Sequence, residues 1–293
     1  MGWRFQVPYL ASLGLQVIVP DMLGYGQTSA PDSPSEYTMK KMTSHIAALI
    51  KSNTNKPIIL GGHDWGGAFA WRMAMYYPDF IQAVLSFCVP YTPPSPSFIT
   101  LQDFVQHMPN SRYQLLIADG AIESALGDPP TKLSAFVNGM FYGSTPEGQF
   151  IFSPKRSIHP DRLASVGAST YLDQEMVDYY VREYSRNGLR GPCNWYRTQR
   201  LNFEDELVFT DGGQEFKFNI PAMIVMAEFD DYLPPSLADG QEKYFTAGLK
   251  KEVIASSHCI LVEKYRECNQ LVKDFVSDVL GENLEVVNSV PVG

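Results

Sequence analysis

Residues Gly62-His63-Asp64-Trp65-Gly66-Gly67 follow the apolar run Pro57-Ile58-Ile59-Leu60-Gly61 and precede the helix-like run Ala68-Phe69-Ala70-Trp71-Arg72-Met73-Ala74-Met75. The frame is small-x-nucleophile-x-small between a strand and a helix, the context of a nucleophile elbow, with aspartate where serine is the usual occupant. Such a turn needs positive φ at its central residue, and flanking glycines remove the side chains that would collide there. Gly62 and Gly66 hold those places. An aspartate that merely caps a helix needs no glycine two residues before it and another two after, which separates Asp64 from an ordinary N-cap. A carboxylate at a helix N-terminus is favoured in its charged form and can attack a saturated carbon, leaving an alkyl-enzyme ester. That ester demands a second, hydrolytic step.

Hydrolysis needs a base, and the sequence has five histidines. His258 follows the strand-like run Leu249–Ala255 in the loop Ser256-Ser257-His258-Cys259, near the C-terminus, where the order nucleophile, acid, histidine puts the base of a triad. His63 adjoins the nucleophile but is expected to point away from it across the turn. His45 falls among Met42, Ile46, Leu49 and Ile50 on a helix, and His107 and His159 lie in irregular polar segments. The acid that orients the histidine should end the preceding strand, and Pro221-Ala222-Met223-Ile224-Val225-Met226-Ala227 runs into Glu228, Asp230 and Asp231. Spacing favours the Asp230/Asp231 pair without separating its members. Buried against the imidazole, such an acid fixes the tautomer and stabilises the imidazolium.

Taken together, Pro20-Asp21-Met22-Leu23-Gly24-Tyr25-Gly26-Gln27-Thr28-Ser29, the elbow, Gly191-Pro192-Cys193-Asn194-Trp195-Tyr196-Arg197, Ala227-Glu228-Phe229-Asp230 and His258 resemble the soluble epoxide hydrolases of the α/β-hydrolase fold, over nearly the whole chain. The resemblance implies Asp230 as the triad acid, since Ala-Glu-x-Asp carries it at the last position. It implies two lid tyrosines that polarise the epoxide oxygen. Asn-Trp-Tyr-Arg marks Tyr196, and a segment like Arg112-Tyr113-Gln114-Leu115 marks Tyr113, with Tyr142 in reserve. Two phenol donors on one oxygen would stabilise an alkoxide as its charge develops. The Trp65 amide is the expected oxyanion donor and Trp195 an expected substrate contact. No cofactor and no metal are implied; the reaction partners are a small apolar epoxide and water, and a homodimer is allowed for.

Composition fits a single globular enzyme: 293 residues, 45% hydrophobic and 13% aromatic, supply ample core. A net charge of -9 without a basic cluster disfavours nucleic acid, and no apolar run approaches the ~20 residues a membrane span needs. Cys88, Cys193, Cys259 and Cys268 form neither Cys-x-x-Cys pairs nor a disulfide framework, so they read as the reduced thiols of a cytoplasmic protein, Cys259 as packing. Neither the start nor the closing Val-Pro-Val-Gly carries a targeting signal.

Strand-like runs at Gln16–Val19, Ile58–Gly62, Ala83–Val89, Ala222–Ala227 and Glu252–Ala255 alternate with helical stripes, Met42/Ile46/Leu49/Ile50 early and Leu271/Val272/Phe275/Val276/Val279 late. This predicts a mostly parallel sheet flanked by helices. After Val89 the alternation stops at Pro90, Pro93, Pro94 and Pro96, and helical stretches follow, such as Leu172-Met176-Tyr180-Tyr184 ending at Asn187-Gly188. The expected division is core over 1–92, an inserted helical lid over 93–206, core again over 207–280 and a tail over 281–293.

In the family, strands ending in His-Gly-x-Pro precede the segment resembling Gly2-Trp3-Arg4-Phe5-Gln6-Val7-Pro8-Tyr9, and Met1 begins after them. The first strands of the family are therefore expected to be absent, leaving a gap between Gln16–Val19 and Ile58–Gly62 and Trp65 as the remaining oxyanion donor. Loss of one such donor costs ~10²–10³ in rate. Two other readings share the frame: a haloalkane dehalogenase, which keeps Asp-Trp and the histidine but holds a halide with indole or amide donors, and a non-catalytic binding protein that keeps only the pocket.

Overall fold

The computed structural model describes residues 2–127, 130–153, 157–210, 213 and 215–286. It divides into two compact units, Met1–Val19, Thr43–Pro94 and Val208–Gly293 in the first, Pro20–Met42 and Ser95–Leu207 in the second. The closing Val-Pro-Val-Gly and all of the 281–293 tail beyond residue 286 lie outside the described residues.

The first unit is built on β1 (Ile58–His63), β2 (Ile81–Phe87), β5 (Ala222–Ala227) and β6 (Leu249–Ile254), in the order β1-β2-β5-β6. All three pairings are parallel. The two inner strands are buried along nearly their whole length, which is why Ala222-Met223-Ile224-Val225-Met226-Ala227 reads as a continuous apolar run rather than an alternating one. Between β1 and β2 runs helix α3 (Trp65–Tyr76), the crossover that parallel neighbours require. Helix α1 (Gln6–Ser12) packs on α12 (Tyr265–Leu280), which follows α11 (Ile260–Glu263). Cys268, Val272, Phe275 and Val276 give α12 the i, i+4, i+7, i+8 stripe it buries against Leu85, Phe87, Met223 and Val225.

Helix α2 (Met39–Asn53) carries the expected early stripe, with Met42 and Ile50 buried. Gln16–Val19, expected to be a strand, is not one: among the described residues no ladder joins it to the sheet, and Ile18 and Val19 are each 48% exposed. A segment becomes a strand only by pairing, and a suitable composition supplies no partner. Among the described residues, β1 is therefore an edge of the sheet.

The second unit is mainly helical. It holds α4 (Leu101–His107), α5 (Tyr113–Ala118), α6 (Ala121–Leu126), α7 (Pro130–Met140), α8 (Gln174–Asn187), α9 (Arg190–Asn194) and α10 (Gln199–Glu206). A short hairpin of β3 (Phe152–Ser153) and β4 (Ser157–Ile158) lies between α7 and α8. Helix α8 is delimited by its sequence: Asp173 accepts from the Met176 amide at 2.8 Å, and Gly188 closes the helix at φ 64°. Two of the motifs quoted above meet here. Gly24, at φ 90°, and Gly191 face each other so closely that a Cβ on either would run into the backbone of the other.

Candidate active site

Asp64 stands between the end of β1 and the start of α3 at φ 53° and ψ -124°, one of three non-glycine residues with positive φ among those described. Its amide continues the ladder by donating to the Phe87 carbonyl at 3.3 Å. The glycine logic holds for Gly62, where a Cβ would overlap the Gly66 carbonyl. At Gly66 it does not, since a Cβ there would meet nothing within 4 Å. The second indispensable glycine is Gly67, whose Cβ would strike the Ser86 hydroxyl, because α3 packs tightly on the end of β2.

His258 brings Asp64 and Asp230 together. Its Nδ1 donates to Asp230 Oδ2 at 2.7 Å, and its Nε2 lies 3.5 Å from Asp64 Oδ1. Asp230 is buried, and its other oxygen accepts from the amides of Tyr232 at 2.9 Å and Leu233 at 3.0 Å, so both oxygens have donors and its direction is fixed. Asp231 is exposed and holds no such place. The loop before His258 is tied by Glu263, which accepts from the Ser256 hydroxyl at 2.8 Å, the Ser257 amide at 2.9 Å and the Ser257 hydroxyl.

Burial works against charge on His258, but hydrogen bonds to Asp230 and Asp64 outweigh it, so its pKa lies well above the ordinary imidazole value. Burial likewise raises Asp64, yet the His258 hydrogen bond and charge, with His63 and the Trp65 amide, bring it down to about 2. Both shifts favour a charged imidazole between two carboxylates. Removing one carboxylate must lower the imidazole pKa. Asp64→Asn should move the His258 midpoint down by at least about one unit in an imidazole ¹⁵N titration, since one unit is the scale of a single close charge partner. A midpoint that stays put would mean that Asp64 does not set it.

His63 is more than a neighbour in sequence. Its Nε2 donates to the His258 carbonyl at 2.8 Å, and the two rings lie 4.7 Å apart. Burial first, then the charge of His258, lower its pKa to about 4, so it stays neutral and holds the loop as a hydrogen-bond donor. With Cys88, these two histidines place ligand atoms within 4.8 Å of one another. A metal there would have to compete with contacts already made, since His63 holds the His258 carbonyl and His258 the two carboxylates. All four cysteines are free, and burial raises the Cys259 thiol to about 12, far from a reactive thiolate.

In the second unit, Tyr113 opens α5 and Tyr196 sits in the short 3₁₀ turn Trp195–Arg197. Their ring centroids are 6.2 Å apart at 74°, and both line an apolar cavity of about 140 Å³ together with Tyr25, Phe136, Met140 and Tyr184. Tyr142 is not among the lining residues; it has positive φ and stands edge-on to Phe150 and Tyr171. Trp195 does not line the cavity either. Its indole N–H donates to the Leu23 carbonyl at 3.1 Å, and its buried ring meets Tyr25 edge-on. Tyr25 lies in a quoted motif and Tyr184 in a quoted helical stripe, but nothing local marks either as lining a cavity among sixteen tyrosines.

Among the described residues, no helix is long and apolar enough to cross a membrane. Residues 2–127 match the alpha/beta hydrolase fold family. The chain is 46% identical over 286 residues to the epoxide hydrolase srdG of Neurospora crassa, covering 96% of this chain and 84% of that protein. It is 28% identical over 275 residues to the bifunctional epoxide hydrolase 2 of Mus musculus, covering 92% of this chain but only 48% of that protein. In three dimensions it resembles the epoxide hydrolase VrEH1 from Vigna radiata with a TM-score of 0.80 at 24% identity, over 94% of this chain and 87% of that one, a likeness of fold.

Proposed function

The chain belongs to the epoxide hydrolases of the α/β-hydrolase fold, and on that premise we propose that it opens epoxides to vicinal diols through an ester on Asp64. A carboxylate oxygen of Asp64 attacks a ring carbon, the ring C–O bond breaks, and the oxygen takes a proton from the phenol of Tyr113 or Tyr196. His258, oriented by Asp230, then removes a proton from water. The resulting hydroxide adds to the ester carbonyl, and the Trp65 amide stabilises the oxyanion. Collapse releases the diol, whose oxygen recovers the proton from His258, and the Asp64 carboxyl hands its own proton to His258, restoring the carboxylate and the imidazolium. The segment 93–206 serves as the lid and 1–92 with 207–280 as the core.

The observation that carries this reading is the His258 ring between Asp230 and Asp64, a carboxylate occupying the nucleophile's place. It also supplies the timing. Esterification removes the Asp64 charge and with it one support of the imidazolium, so His258 passes its proton through solvent to the tyrosinate left by ring opening and becomes a base when a base is needed. Trp195 has its indole spent on Leu23 and is assigned a supporting role for Tyr196 rather than a place against substrate. The apolar cavity has about the volume of one known to admit benzene, ~150 Å³. An aryl-substituted epoxide is thus a suitable probe.

Isotope labelling tests the two-step route. One turnover in H₂¹⁸O should give diol without ¹⁸O and leave the label in Asp64, because the oxygen added to the epoxide carbon comes from the carboxylate. Direct attack of water on the epoxide would label the diol in that first turnover and end the ester scheme.

A further inference from the structure

We propose that Arg197 is a positioning residue that sets the spacing of the Tyr113 and Tyr196 hydroxyls, an inference that rests on the oxygen-donor role given to that pair. Arg197 follows Tyr196 directly, and its guanidinium reaches back to the far end of the helix that Tyr113 begins. Nε donates to the Ala118 carbonyl at 2.8 Å and Nη2 to the Ile117 carbonyl at 3.5 Å. These are carbonyls of the last turn of α5, where a helix end has acceptors to spare and its dipole favours a cation; the Ile117 carbonyl also accepts from the Gly120 amide at 3.1 Å. Nη1 donates to Asn194 Oδ1 at 2.9 Å and to Glu123 Oε1 at 3.5 Å, and Nη2 donates to Glu123 Oε2. One planar fork thus holds together the end of α5, the first turn of α6 and the segment carrying Tyr196.

Two further features show that the surroundings are shaped to this fork. Gly120, between α5 and α6, has φ 80°, and a Cβ there would lie 3.2 Å from Glu123 Oε2 and 3.3 Å from Arg197 Nη2, tighter than such contacts normally are. Asn194 is buried, and its Nδ2 donates to the Asp32 carbonyl at 3.1 Å, so the clamp is anchored beyond itself. Trp195, on the other side of Tyr196, is held by the Leu23 carbonyl. Both neighbours of Tyr196 are therefore fixed, one to the helix bearing the partner tyrosine. Lysine cannot replace the fork, since an ammonium offers no planar set of five donors.

The test separates the two half-reactions in pre-steady-state measurements with an aryl epoxide, for the parent, Arg197→Ala, Arg197→Lys, Glu123→Gln and Tyr196→Phe, and for Arg197→Ala combined with Tyr196→Phe. Arg197→Ala should slow ester formation by about 10- to 100-fold, the scale of an ångström-sized misplacement of a reacting group. Ester hydrolysis, which does not use the tyrosines, should change by no more than about twofold, the usual scatter of independent sites. Arg197→Lys should recover part of the loss, and in the Tyr196→Phe background the Arg197→Ala effect should shrink to about twofold. Equal slowing of both half-reactions, or an undiminished effect in the Tyr196→Phe background, would overturn the proposal. Should Arg197→Ala not fold, Glu123→Gln preserves shape while weakening the clamp and must show the same selective loss at smaller amplitude; if both half-reactions slow alike, the proposal fails. If Tyr196→Phe leaves ester formation unchanged, it is the oxygen-donor role itself that fails.

Discussion

Asp64→Asn is expected to abolish epoxide turnover, by on the order of 10⁴-fold or more, the range in which loss of a triad member falls. His258→Gln is expected to do something different: react once and stop. The difference follows from separate duties. Asp64 is ionised with a pKa of about 2, so the nucleophile is ready at any ordinary pH without help from a base. Hydrolysis, by contrast, needs a nitrogen that can take a proton from water, and His258 is the imidazole within reach of the ester-bearing residue, 3.5 Å from Asp64 Oδ1. Glutamine keeps a polar group there but cannot accept that proton. Intact-mass analysis of the His258→Gln protein after exposure to an aryl epoxide should show a single added epoxide mass, mapping to Asp64. A folded protein that gains no adduct would count against the ester, and one that keeps turning over would remove His258 from the second step.

The tyrosine pair carries the second large effect. Loss of one preorganised donor to a developing oxyanion costs ~10²–10³ in rate. Tyr113→Phe or Tyr196→Phe should therefore slow epoxide opening by about that factor, and the double substitution should leave little, because the departing oxygen then has no phenol to protonate it. The shared cavity, with ring centroids 6.2 Å apart, places these two residues together, while Tyr142 packs on Phe150 and Tyr171. The same proteins discriminate epoxide from halide chemistry. A leaving halide carries its own charge and takes no proton from phenol, so release of chloride or bromide from haloalkanes should be undetectable in the parent. Steady halide release that ignores both substitutions would favour the dehalogenase reading.

Locally encoded features were legible in the chain. Gly62-His63-Asp64-Trp65 announced a strand turning into a helix at positive φ, and Asp64 is found at φ 53°. Of the late stripe, Val272, Phe275 and Val276 are buried and Leu271 and Val279 pack against the same core, and Ala222–Ala227 forms the strand its apolar run suggested. Asn187-Gly188 announced the end of α8, and Gly188 is found there at φ 64°. In each case the deciding interaction lies within a few residues along the chain, or depends only on which face is apolar.

What the tertiary structure alone decided depends on partners far away in sequence. Gln16–Val19 has the composition of a strand but pairs with none of the described strands, so it stays outside the sheet. Gly67 rather than Gly66 is the crowded glycine, because the crowding atom belongs to Ser86 on β2. Asp230 and Asp231 differ little in spacing and entirely in surroundings, one enclosed by His258 and two amides, the other exposed. His63 acquires a task only when the His258 carbonyl, 195 residues on, arrives at its Nε2, and Arg197 only when the end of α5 does. Spacing along a chain fixes which side chains share a face, whereas hydrogen-bond direction, burial and close backbone approach are set by which faces meet, and that is fixed only when the chain has folded.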